Sequence, residues 1–211
     1  MPDPTPPPTP RTASDLFGPG RPPRDTREKL LFRALDLFYV HGFHEVGLDR
    51  ILEETGVTKT TFYNHFESRD HLIREAVVLR NEWEASVFAR EVQRRAGFDP
   101  RKMLLAVFDV LDDFFTLPDY RGCLFLAAST EFPSRTHPVH KAAAQHYVDA
   151  ERDLLRMAEA AGARDPVGLA RTWQILVQGA LMARQTLHDD AAAKRARAAA
   201  ERLLAAELGP G

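Results

Sequence analysis

Residues 49–72 read DRILEETGVTKTTFYNHFESRDHL, and this stretch encodes two short helices joined by a tight turn. The first spans Leu48 to Thr55 and stops at Gly56, the residue type that enters the left-handed conformation without steric cost. Val57 fills the angle behind the turn, and Thr58 is placed to cap a second helix running to about His65. Ile51 and Leu52 on one side, with Phe62 and Phe66 on the other, supply a small shared core. The pattern is that of a helix-turn-helix, whose second helix enters the DNA major groove with its N-terminal part toward the base edges.

The chemistry of the second helix fits that use. Thr58, Lys59, Thr60, Thr61, Tyr63, Asn64 and His65 are all donors or acceptors, and none is acidic. The threonines and Lys59 suit phosphates or bases, and Tyr63 can donate to a phosphate oxygen. The plain alternative is a solvated polar face on a short surface helix. Two aromatics anchoring a helix whose other residues are uniformly non-acidic argue against it.

Working outward, Leu30, Leu31, Ala34, Leu35, Leu37 and Phe38 form one apolar stripe on a helix from about Thr26 to His41, which Gly42 stops. Downstream, Ser68 caps a longer helix running towards Ala96 and Gly97. Further helices are predicted at about 99–116, 121–132, 137–161, 166–187 and 189–208, with breaks at Gly162 and around Pro100, Pro118, Pro133, Pro138 and Pro166. No strand pattern and no repeat emerges, so the predicted fold class is all-α. The first 24 residues differ in kind, holding nine of the 15 prolines and only Leu16 and Phe17 as large apolar groups. They read as a disordered or polyproline-like arm. Its arginines, Arg11, Arg21 and Arg24, either solubilise an inert tail or add minor-groove and phosphate contacts.

At this point the residues resemble a family, the TetR-type transcriptional regulators. The resemblance covers about Arg27 to Val77: Leu37-Phe38 with Gly42-Phe43, Ile51 before Thr55-Gly56-Val57, Thr61 to Phe66, then Ser68 to Leu72. It implies a homodimeric one-component regulator. A three-helix DNA-binding domain at 25–75 would precede a helical ligand-binding and dimerisation domain at 76–211. In the family geometry Arg27, Lys59 and Arg69 fall on the side of double-stranded operator DNA. Two departures stand out: Val46-Gly47 replaces the usual Thr or Ser cap of the first motif helix, and Arg69 stands where lysine is commoner.

Charge is the objection to this reading. The 211-residue chain has a formal net charge of −2, and residues 25–75 hold seven Lys or Arg against ten Asp or Glu. The acids Glu28, Asp36, Asp49, Glu53, Glu54 and Glu67 are expected to lie away from the recognition helix, leaving few phosphate contacts and a shallow salt dependence. A single cysteine excludes an intrachain disulfide framework and a four-cysteine zinc site. The longest apolar runs are six residues, far short of the roughly 18 a membrane span needs. With no secretory signal pattern, a soluble cytoplasmic protein with no membrane partner is expected.

Beyond Gly97 the chain turns aromatic and aliphatic, with five of its 13 phenylalanines between positions 108 and 132. Most of these read as bundle core, while the resemblance implies a largely apolar pocket for an unidentified small-molecule inducer. The candidate lining residues are Phe108, Phe115, Cys123, Phe125, His146, Tyr147, Trp173, Gln174 and Gln178. Arg121-Gly122-Cys123-Leu124-Phe125 and Glu131-Phe132-Pro133 look like a recurring variant of the family's C-terminal domain. Cys123 is either a small buried hydrophobe or a redox sensor activated by Arg121. The pairs His41 with His44 and His137 with His140 straddle a Gly or Pro break and match no zinc site. No catalytic or cofactor motif is present, so neither an enzyme nor a cofactor is predicted. The helix at 167–187, with Leu169, Trp173, Leu176, Val177, Ala180 and Leu181, is expected to present a dimer face. The predicted function is a ligand-released repressor on a palindromic operator. The alternative is a helical small-molecule binding or interaction protein that no longer uses its DNA reader.

Overall fold

The computed structural model describes residues 21–208, which among themselves form nine helices and no strand. Arg11 and the arm up to residue 20 lie outside the described residues. Three short helices come first: α1 (Thr26–His41), α2 (Leu48–Thr55) and α3 (Lys59–Tyr63). Asp25 caps α1 by accepting the Glu28 amide, whereas Gly47 gives α2 no side-chain cap. Gly56 ends α2 at φ 65°, and its N–H reaches the Glu53 and Leu52 carbonyls. Thr58 caps α3 by accepting from the Thr61 amide. The third helix is shorter than expected, ending before His65, because the chain turns at Asn64 to bring Phe66 back beside Phe62, ring centroids 5.5 Å apart.

Six helices follow: α4 (Arg69–Ala96), α5 (Pro100–Phe115), α6 (Leu124–Glu131), α7 (Pro138–Ala160), α8 (Pro166–Leu187) and α9 (Ala192–Leu208). Pro100, Pro138 and Pro166 each open a helix, behind a capping Asp99, His137 or Asp165. The first turn of a helix has no partner for its N–H groups, so a missing donor does no harm there. Two helices start later than their sequence suggests. Gly122 sits at φ 96°, where an added Cβ would lie 2.7 Å from the Gln185 side chain, so helix begins only at Leu124. His188 takes the left-handed conformation at the end of α8, and Asp189 then accepts the Ala191 amide before α9.

The packing decides what each helix face serves. α4 passes unbroken through position 75, where the DNA-binding domain was expected to end. The core of α1–α3, with Phe38, Phe43, Ile51, Phe62 and Phe66, is closed from the far side by Phe125 and Ala128 of α6 and Val139 and Ala143 of α7. A second core joins Leu104 and Phe108 of α5 to Leu169 and Trp173 of α8 and Leu204 of α9. Of the predicted dimer-facing residues, Leu169, Trp173 and Ala180 are therefore buried within the protomer. The face α8 turns outward carries Ile175, Gln178, Gly179 and Met182 instead. Among the described residues no helix is long and apolar enough to cross a membrane.

Candidate nucleic-acid interface

Thr58, Lys59, Thr60, Tyr63 and Asn64 are exposed on α3 and its two caps, while Phe62 beneath them is fully buried. Tyr63 is 51% exposed, its ring held edge-on to Phe62 at 5.2 Å. Thr61 is half-buried and shares a hydroxyl contact of 2.8 Å with Thr58, so part of this pair's capacity goes into capping. His65 is half-buried beyond the helix end. No acidic side chain stands on α3, and two of the acids in the same part of the chain are tied to bases. Glu54 pairs with Arg33 at 2.6 Å and Glu75 with Arg27 at 2.8 Å.

Arg27 and Arg69, expected at DNA, and Arg21 of the arm are engaged within the protein. Arg69 donates from Nε to the Val46 carbonyl at 2.9 Å and from Nη2 to the Phe43 carbonyl, with its guanidinium over the Phe38 ring. The sequence does not show this, because the receiving carbonyls lie 23 and 26 residues away. Arg69 therefore supports the loop before α2 through Nε and Nη2. Arg27 holds Glu75 and lies over Phe66 at 5.1 Å, leaving it 40% exposed. Arg21 grips Glu28 through two 2.7 Å bonds and folds the end of the arm onto α1. That guanidinium, helped by the Arg24 amide, holds the Glu28 carboxyl down at about 2. Arg50, not singled out from sequence, donates to His41 Nε2 at 2.8 Å, while His44 faces Glu131, so this histidine pair diverges.

The candidate ligand residues separate into groups. Cys123, Phe125, His146 and Tyr147 converge where α4, α6 and α7 meet, and Gln174 of α8 donates to the Tyr147 backbone carbonyl at 3.4 Å. His146 stacks on Phe125 with centroids 3.7 Å apart and planes 9° apart. Its Nδ1 meets Asn81 Oδ1 at 2.8 Å, and Asn81 Nδ2 donates to Asp149. That donation fixes the amide's orientation, so Nδ1 carries the proton and Nε2 is left as an acceptor. Burial pushes the His146 imidazole down, keeping it neutral. The Cys123 sulfur lies 3.6 Å from the Tyr147 hydroxyl, and burial pushes both groups up. The nearby Tyr120 hydroxyl is buried without a hydrogen-bond partner.

The other four candidates do not join them. Phe108 and Trp173 pack against each other in the second core, and the Trp173 indole donates to the Leu104 carbonyl at 2.9 Å. Phe115 belongs to a third cluster and reaches the first group only through Tyr120, 5.4 Å away. Gln178 is exposed on the outer face of α8. Sequence reading missed Asn81, Arg80 and Glu84 on α4. Arg80 is 5% exposed, lies over Tyr39 and bonds Glu84 at 3.0 Å. Its signal was a charge directly after the apolar run Ala76 to Leu79, with an acid four residues on.

The Cys123 geometry gives a direct expectation. Arg121 does not activate the thiol, whose shift upward comes from burial first and then the Glu84 carboxylate. At neutral pH Cys123 should react with a thiol reagent at least tenfold more slowly than free cysteine. Reaction at the free-thiol rate would restore the sensor reading.

Comparison with known proteins agrees with this geometry. The family described as "Bacterial regulatory proteins, tetR family" matches residues 30–76, and "Tetracyclin repressor-like, C-terminal domain" matches residues 100–200. The chain belongs to the TetR family of transcriptional regulators. Among curated TetR-type relatives, the HTH-type transcriptional regulator YjdC of Escherichia coli is 25% identical over 158 residues, covering 74% of this chain and 81% of that one. The HTH-type transcriptional activator FasR of Mycolicibacterium smegmatis is 34% identical over 95 residues, 44% of this chain and 42% of that one. A crystal structure of a TetR-family transcriptional regulator from Streptomyces coelicolor superposes with a TM-score of 0.75 at 29% identity, covering 87% and 96% of the two chains. The TetR-family chain is thus a transcriptional regulator with an N-terminal DNA-binding domain, not an enzyme.

Proposed function

We propose that this regulator is a homodimeric repressor that binds a palindromic operator and leaves it when a small apolar or amphipathic molecule occupies the Cys123–Phe125–His146–Tyr147–Gln174 cluster. The observation that carries the DNA half is the acid-free exposed face of α3, with Tyr63 raised on the buried Phe62. Support for the dimer comes from Ile175, 67% exposed, and Met182, 46% exposed, beside Gly179, where nothing lies within 4 Å of an added Cβ. A small residue between apolar ones suits close two-fold packing of α8 on its mate. Two α3 helices would then enter successive major grooves roughly 34–36 Å apart. Support for the ligand half is a neutral imidazole acceptor and a partnerless Tyr120 hydroxyl beside aromatic surface.

The test is a mobility shift with DNA flanking the protein's own gene, in low salt and without added ligand. A sequence-specific retarded band is expected, and its absence overturns the proposal. Because Arg21, Arg27 and Arg69 are engaged internally, log K should fall gently with log salt. A slope as steep as about −10 would contradict the small phosphate count. Coupling is reciprocal, so an inducer that weakens DNA binding must itself bind the DNA complex more weakly by the same factor.

A further inference from the structure

The loop from Gly42 to Gly47 launches α2 and so aims the whole helix-turn-helix. Gly42 turns the chain at φ 82° and gives its own N–H to Phe38 at the end of α1. The next two amides, Phe43 and His44, point together away from the helix end. Paired backbone N–H groups of this kind form a concavity that suits an anion. The anion that fills it comes from the other half of the chain. Glu131, the last residue of α6, accepts the Phe43 amide at 3.1 Å with Oε1 and the His44 amide at 2.7 Å with Oε2. His44 Nδ1 adds a third contact at 2.6 Å. An ionised carboxylate only accepts, so Nδ1 carries the proton.

The other side of the same loop is held from α4. Arg69 takes the carbonyls of Phe43 and Val46, so Phe43 has its N–H fixed by α6 and its C=O by α4. Phe132, next to Glu131, lies between two imidazoles, His44 at 5.3 Å and His137 at 4.8 Å, both stacked. His137 reaches back to Asp70 at 3.3 Å. The clasp therefore runs both ways, with an acid of the C-terminal helices on the loop and an imidazole of those helices on an acid of the DNA-binding part. The Glu131 carboxyl stays below the usual carboxylate range: burial raises it, but the His44 imidazole and the two amides outweigh that.

We propose that Glu131 is a positioning residue for DNA reading: by holding the Phe43 and His44 amides it fixes the tilt of α2 and α3 against the C-terminal helices. This rests on the regulator reading above, in which the unliganded form is the one that binds DNA. Two copies can match two half-sites only if each presents α3 at one angle, and a loosened loop must be ordered at the moment of binding.

Full-length wild type, Glu131→Ala and Glu131→Gln are compared by hydrogen exchange and by affinity for the DNA flanking the gene at several salt concentrations. In Glu131→Ala the Phe43 and His44 amides should exchange about tenfold faster or more, because their half-buried acceptor is gone. DNA affinity should fall about tenfold through lost preorganisation. The salt slope should stay unchanged, since no phosphate-facing group is altered. Glu131→Gln keeps the size and one acceptor oxygen, and should fall between the two on both readouts. Gly42→Ala approaches the clasp from the opposite side, its Cβ 3.2 Å from Glu131 Oε1, and should reproduce the loss. Unchanged exchange overturns the clasp, and faster exchange with affinity within twofold of wild type overturns its positioning role. Wild type that fails to bind DNA instead defeats the regulator reading, and the positioning role with it.

Discussion

Replacing Trp173 by alanine should lower stability by about 3–5 kcal/mol, the range for truncating a large buried aromatic. The side chain is 0% exposed, lies 5.7 Å from Phe108 and donates its indole N–H to the Leu104 carbonyl. Nothing on three packed helices can follow a collapsing indole without moving α5 against α8, so relaxation should be poor. For a chain this size the melting temperature should drop by roughly 10 °C. Trp173→Phe keeps a ring and loses the donor, and should fall by less. Thermal or urea unfolding measures both. A loss under about 1 kcal/mol would mean that Trp173 borders space able to accept its removal. That result would return it to the ligand-binding candidates.

Tyr63→Ala should behave in the opposite way. The ring is 51% exposed and touches the core only through its edge on Phe62, so unfolding should shift by no more than about 0.5 kcal/mol. Affinity for operator DNA should fall about tenfold to a hundredfold, the consequence of losing a hydroxyl donor to a charged phosphate, worth about 1.5–3 kcal/mol. Tyr63→Phe should give most of the same loss. Lys59→Ala should weaken binding across sequences and lower the salt slope by about one. If Tyr63→Ala bound DNA like wild type at equal stability, the reading face would have to lie elsewhere than on α3.

The contrast between these two residues marks what a single sequence makes legible. Caps and stops are local chemistry, so Gly42 and Gly56 placed the ends of the first two helices, and Thr58 and Ser68 the starts of the next two. The exposed face of α3 was readable for the same reason, since Phe62 and Phe66 set which side turns inward. Trp173 was not. Periodicity shows that α8 has an apolar stripe, but not whether that stripe meets a ligand, a neighbouring helix or a second copy. Arg69 shows the same limit: an arginine beside a recognition helix has the right charge for phosphate, and its two loop-carbonyl partners are set by the tertiary fold, out of reach of local sequence. The α6 start was displaced because Gly122 takes a φ of 96°, outside the helical region, which the sequence alone does not announce.

The unbroken α4 and the core it shares bear on how such regulators can be recombined. A chimera joined at position 75 would cut a 28-residue helix and strip Phe125, Ala128 and Val139 from beneath the transplanted reader. The unit that can be exchanged between proteins is therefore discontinuous in sequence: α1 to the first turns of α4, together with α6 and the first turn of α7. Recombination that respects only linear domain borders would yield readers with half a floor.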